Sequence, residues 1–127
     1  MVEEIMVLAP KENAGLDPDR LEALYSQLGP SAAEDVVCRA MEELALRLAH
    51  IDRLFHEHAW GDMRKNTRAL VAIADQIGMT GLACVGGHVI SCIDDVDHIA
   101  LAATLARLNR LGEGSLTAIW DLQDLSI

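Results

Sequence analysis

After Pro30 the chain contains no proline. Over the same stretch apolar residues return every three or four positions. A proline inside a helix removes a hydrogen bond and clashes with the preceding turn, so its absence leaves long amphipathic helices uninterrupted. Apolar residues make up 51% of the chain but aromatics only 3%. The core must therefore be built from Leu, Ala, Ile, Val and Met, which are mostly good helix formers. With 127 residues the chain suits one domain with a real core.

The periodicity divides the chain into an arm and five helices. Residues 1–16 read as an N-terminal arm lying on the domain or partly disordered, and residues 17–127 as the helical domain. Asp17-Pro18-Asp19 starts a short first helix: Asp17 caps, Pro18 fits the first helical position and Asp19 suits the dipole. Leu21, Leu24, Tyr25 and Leu28 form its face, and Gly29-Pro30 ends it. Ser31 and Glu34 have the spacing of a capping box opening a second helix that runs to about His58. Its stripe is Val37, Met41, Leu44, Leu48, Ile51 and Phe55. A short turn near Ala59–Asp62 follows.

The third helix covers 60–77, with Trp60, Met63, Leu70, Ile73, Ala74 and Ile77 inward and Gly78 as its C-terminal cap. A fourth covers about 80–95, with Leu82, Val85, Val89, Cys92 and Val96 inward. The fifth starts near Asp97 and buries Leu101, Leu105, Leu108 and Ile119, with a kink or end expected at Gly112 and Gly114. Helices joined by turns this short lie antiparallel. The expected fold is all-α: an antiparallel up-down-up-down four-helix bundle with a short additional N-terminal helix.

The formal net charge of −10 argues against phosphate backbones and anionic lipid as partners. No nucleic acid and no membrane partner is expected. No apolar run has the length of a membrane span, and the N-terminal stretch carries Glu3 and Glu4 where a secretory leader would be basic. Three cysteines, Cys38, Cys84 and Cys92, lack a framework spacing and suit a reducing cytoplasm.

At the third helix the chain resembles the histidine-containing phosphotransfer (HPt) domains of bacterial phosphorelays. That family's signature is His-x-Leu-Lys-Gly, with a second glycine ten residues after the histidine. Gly78-Met79-Thr80-Gly81-Leu82 is similar to the family's entry into its next helix, and ten residues before Gly78 stands Arg68. Leu70 matches the motif leucine, and Trp60 and Met63 match the apolar residues that open the site helix. Leu24-Tyr25-Ser26-Gln27-Leu28-Gly29 looks like the family's leader helix, so the resemblance spans about Leu16 to Leu111.

The departures fall on the chemistry. Arg68 stands where the family has its phosphoacceptor histidine, Val71 where it has lysine and Ala72 where it has glycine. A guanidinium stays protonated and has no nucleophilic lone pair. At about 100° per residue, Leu70, Ile73 and Ile77 cluster on one side of the helix. Lys65, Arg68, Ala72 and Asp75 fall opposite, flanked by Arg64 and Val71. The resemblance therefore implies a signalling module that cannot carry phosphate. It would bind a response-regulator receiver, or a histidine kinase, through Arg64, Lys65, Arg68, Val71, Ala72 and Asp75.

Two alternatives remain open: an active phosphotransfer protein using a relocated histidine, His88 or His50, and a structural homodimeric bundle.

Other constellations carry less. His56 and His58, two apart, point about 200° away from each other on a helix and cannot share an ion there. Cys84, His88 and Cys92 rise along one side of the fourth helix. Adjacent members can reach one zinc ion, but the outer two are about 12 Å apart along the axis. No fourth ligand is apparent, so neither a metal nor a cofactor is expected. Gly86-Gly87 reads as a point of close helix approach, and Asp94, Asp95 and Asp97 as a solvated turn with caps. Ser115 and Thr117 lack a paired base, and no catalytic site is expected.

Overall fold

A computed structural model describes residues 16–125, with side chains through residue 117. Its architecture is all-α. The helices are α1 (Pro18–Leu28), α2 (Pro30–His56), α3 (Trp60–Gln76), α4 (Thr80–Asp94) and α5 (His98–Leu125). Each of the helices from α2 onward packs on the next in sequence, α5 returns to α2, and α1 lies on α2.

Cross-helix contacts fix the directions. Arg64 near the start of α3 meets Asp94 at the end of α4, while Val71, further along α3, meets Gly86 earlier in α4. Asp52 of α2 meets Asn109 of α5, and the earlier Leu48 meets the later Gly112. Both pairs of helices therefore run in opposite directions. The buried interior is aliphatic, built on Val37, Met41, Leu44, Ile51, Met63, Leu70, Ala74, Ile77, Leu82, Val89, Leu101 and Leu108.

Three helix ends share one device. At the ends of α2, α3 and α4 a residue in the left-handed region reverses the chain: His58 at φ 58°, Gly78 at φ 83° and Val96 at φ 54°. The next amide then bonds back to the helix: Ala59 to the carbonyl of Leu54 at 3.0 Å, Met79 to Ala74 at 2.8 Å, and Asp97 to Cys92 at 3.0 Å. These are Schellman closures, which satisfy carbonyls that the helix end would otherwise leave open. Gly78 suits the geometry because it has no Cβ; one placed there would lie 2.8 Å from the Asp17 carbonyl oxygen. Asp17 in turn donates its amide to the Gly78 carbonyl at 2.6 Å, and Leu16 pairs with Met79, so α1 starts on the α3–α4 turn. Val96 adopts the conformation against its β-branched side chain, at a cost of about 1–2 kcal/mol.

Several expectations need correction. Val96 is 70% exposed because α4 stops at Asp94 and Val96 makes the turn. Leu28 is also exposed, since α1 is ending there. No capping box forms at Ser31 and Glu34: the cap falls two residues earlier, on Gly29, which has no side chain, and Pro30 lies in the first turn of α2. Leu54 is buried where Phe55 was expected, and Phe55, Trp60, Ile73 and Cys92 are half-buried at the margin of the core. The break between α2 and α3 falls at 57–59.

Helix α5 passes through Gly112 and Gly114 without interruption. Gly112 is buried, and a Cβ there would lie 2.6 Å from Leu48 Cδ1. The arm at residues 1–15 and the side chain of Ile119 lie outside the described residues. As expected, Asp17 caps α1, accepting from the Asp19 amide at 3.1 Å, and Asp97 caps α5, accepting from the Ala100 amide at 3.1 Å.

The two adjacent glycines of α4 differ. A Cβ on Gly86 would lie 2.7 Å from Val71 Cγ2, whereas one on Gly87 meets nothing within 4 Å. Valine has little rotamer freedom on a helix with which to yield. Gly87→Ala should therefore stabilise the fold by about 0.5–1 kcal/mol. Gly86→Ala should cost about 1–3 kcal/mol, and Val71→Ala should recover part of that loss in the double variant. Urea unfolding followed by circular dichroism measures all three.

Candidate interaction site on the third helix

Burial along α3 separates the helix into two faces. Met63, Thr67, Leu70 and Ala74 are buried. The Thr67 hydroxyl donates to the Met63 carbonyl at 2.8 Å, so its only polar side-chain atom is satisfied inside the helix. Opposite, Lys65, Arg68, Ala72 and Asp75 are exposed and form a continuous ridge at spacings of three and four. These four fall where the sequence reading placed them.

The two flanking residues are more constrained. Arg64 is partly exposed and holds Asp94 through two bonds, Nε to Oδ1 at 2.7 Å and Nη2 to Oδ2 at 3.0 Å. The fork ties the start of α3 to the end of α4. Val71 is half-buried, its Cγ2 over Gly86, and belongs more to the α3–α4 seam than to the ridge. On the α2 side Arg47 donates to Asn66 Oδ1 at 2.7 Å and pairs with Glu43 at 3.0 Å. Leu46, 72% exposed, stands in the adjoining shallow groove with Glu43, Arg47, His50 and Asn66.

Electrostatically, the ridge is unusual for this chain. Three of its ten basic residues, Arg64, Lys65 and Arg68, lie within five positions. Arg64 is committed to Asp94, while Arg68 makes no hydrogen bond or ion pair among the described residues. Such a cation is free to pair with an acidic group on a partner at little desolvation cost.

The histidines are scattered. His50 Nδ1 lies 2.7 Å from Arg53 Nη2, His56 Nδ1 lies 2.8 Å from the Asp52 carbonyl oxygen, and His88 is exposed on α4. At the end of the molecule opposite Gly78, His58 and His98 join a ring cluster that sequence spacing did not disclose. Trp60 stacks with His58, with ring centroids 5.3 Å apart, and with His98, 4.6 Å apart, and makes an edge contact with Phe55 at 6.0 Å. The run Phe55-His56-Glu57-His58-Ala59-Trp60 was a visible signal for part of this. His98, 38 positions beyond Trp60, was not.

Among the described residues no group of three or more His, Cys, Asp or Glu side chains is placed to hold a metal ion. None of the described helices is long and apolar enough to cross a membrane.

The Arg64–Asp94 pair carries a pH signature. The hydrogen bond from Arg64 holds the Asp94 carboxyl below the ordinary carboxylate value. A depressed folded-state value means the pair stabilises the fold above the ordinary carboxylate range, and that contribution is lost as pH falls through the Asp94 value. Both side chains are open to solvent, so the effect belongs in a site-resolved titration rather than in global stability. Carbon-detected NMR should place Asp94 below the ordinary carboxylate value, and Arg64→Gln should return it toward that value.

Compared with protein-family models, curated proteins and solved structures, the chain matches none of them.

Proposed function

We propose that this protein is an interaction module of the histidine-phosphotransfer type that no longer carries phosphate, and that it docks a response-regulator receiver through the outer ridge of α3. In this reading the four long helices form an up-down-up-down bundle, and α1 is the family's short leading helix. The alternating directions of neighbouring helices and the return of α5 to α2 support it.

One observation carries the functional reading. Arg68 is exposed and unpaired among the described residues, on the wet side of α3, ten residues before the glycine that closes the helix. That is the station of the phosphoacceptor imidazole in the HPt pattern. A receiver presents a cluster of acidic side chains at its own phosphorylation site. A guanidinium delivered there forms charge-assisted hydrogen bonds but accepts no phosphoryl group. Ala72, one turn on, keeps the ridge low enough for a partner backbone to approach. Binding without transfer would occupy the receiver and hold it from its other partners.

Calorimetric titration against purified receiver domains from the same genome tests the proposal. Binding should weaken at least tenfold with Arg68→Ala and with Ala72→Glu, while circular dichroism stays unchanged. Incubation with a phosphorylated receiver should leave no acid-labile label on the chain. Absence of binding to every receiver, or binding indifferent to both substitutions, contradicts the docking. Label that disappears with His88→Gln or His50→Gln would make the protein an active carrier instead.

A further inference from the structure

Between Asp75 and Asp94 the chain has no Asp, Glu, Lys or Arg, although its net charge is −10. That stretch contains all of α4 except its last residue. The inner side of α4 is accounted for by Leu82, Val85, Gly86 and Val89. Its outer side is not: Thr80, Cys84, His88 and Ser91 are exposed, and beside them Gly87 leaves open space. A solvent-facing helix with small uncharged residues and no ionic solubilising groups is suited to close approach by another helix.

On this face Cys84 Sγ lies 3.9 Å from His88 Nε2. Tetrahedral zinc binds sulfur at about 2.3 Å and imidazole nitrogen at about 2.0–2.1 Å, which sets neighbouring ligands about 3.6 Å apart. The two donors therefore stand close to one edge of a zinc tetrahedron, and both are typical zinc ligands. Among the described residues a single chain supplies that edge and no more. Cys92, the next residue on the same side, turns toward α5, with its Sγ 3.7 Å from Thr104 Oγ1. No third His, Cys, Asp or Glu among the described residues converges on the pair. Two copies related by a two-fold axis bring two such edges together as Cys2His2, a closed structural set. A divalent cation at the junction also offsets the repulsion between two strongly acidic chains.

We propose that the outer face of α4 is a zinc-dependent homodimer surface, in which Cys84 and His88 of two copies ligate one shared ion. Each ligated sulfur is a thiolate, so one proton per chain is released to solvent as the shell forms. The surface is separate from the α3 ridge. Gly86 faces α3, and Cys84 and His88, each two residues from it, lie about 200° around the helix. The inference does not depend on the proposed receiver docking, and the dimer would leave both α3 ridges open.

Sedimentation velocity on chelator-treated, reduced protein during zinc addition tests this, with cobalt substitution as the spectroscopic readout. Dimerisation should saturate at one zinc per two chains and reverse with EDTA. Cobalt should give the thiolate charge-transfer band and the intense visible bands of a tetrahedral site. Cys84→Ser and His88→Gln should each weaken metal-dependent dimerisation at least tenfold while preserving the helical circular dichroism spectrum. Arg68→Ala should dimerise like the parent. A chain that stays monomeric at saturating zinc, that binds one zinc per monomer, or that dimerises equally well in EDTA with reductant overturns the proposal.

Discussion

The approach of α3 to α4 at Gly86 governs which side of α3 meets water. With only a hydrogen in place of a side chain there, Val71 Cγ2 lies where a Cβ would otherwise be, and Leu70 and Thr67 are the next neighbours. Helix faces are coupled by the 3.6-residue turn, so seating Thr67, Leu70 and Val71 on α4 sends Lys65, Arg68 and Ala72 outward. The Arg64–Asp94 fork fixes the same seam at its other end. The ridge is thus displayed by packing that involves none of the ridge's own outward side chains.

The three Schellman closures explain how nearly aliphatic helices hold their order with so few aromatic anchors. Each reverses the chain within about three residues, and short connections leave neighbouring helices no choice but opposite directions. Their local chemistry differs. Gly78 meets the backbone requirement freely and also admits Asp17, which binds α1 to the turn. His58 and Val96 meet it under strain, and both border the end of the molecule where Trp60 stacks with two imidazoles. Stacking on the indole offsets some of the cost at His58; nothing comparable is seen at the exposed Val96.

Much of this was legible in the sequence because it depends on local spacing. The absence of proline, the interval between Arg68 and Gly78, and the opposition of Leu70 to Arg68 and Ala72 are one-dimensional facts that a helix converts directly into faces. What escaped depended on partners distant in sequence or on where helices stop. Val96 continued the apolar rhythm of α4, yet the backbone turned before reaching it. Ser31 and Glu34 had the spacing of a cap, but Pro30 was already helical. Periodicity also gives the centre of a buried stripe without its width, which is why Ile73 and Phe55 sit at the margin. Gly112 looked like a helix stop because its packing against Leu48 is a tertiary fact.

In this account α3 offers a cationic ridge for a receiver, and α4 an uncharged face for a second copy. Two-dimensional NMR of the labelled protein during titration with an unlabelled receiver, under chelating conditions, separates them residue by residue. Amide shifts should concentrate at Lys65, Arg68, Ala72 and Asp75 and leave Cys84, His88 and Ser91 in place. Shifts confined to α4 or α5, or a spectrum unmoved at saturating receiver, would contradict it.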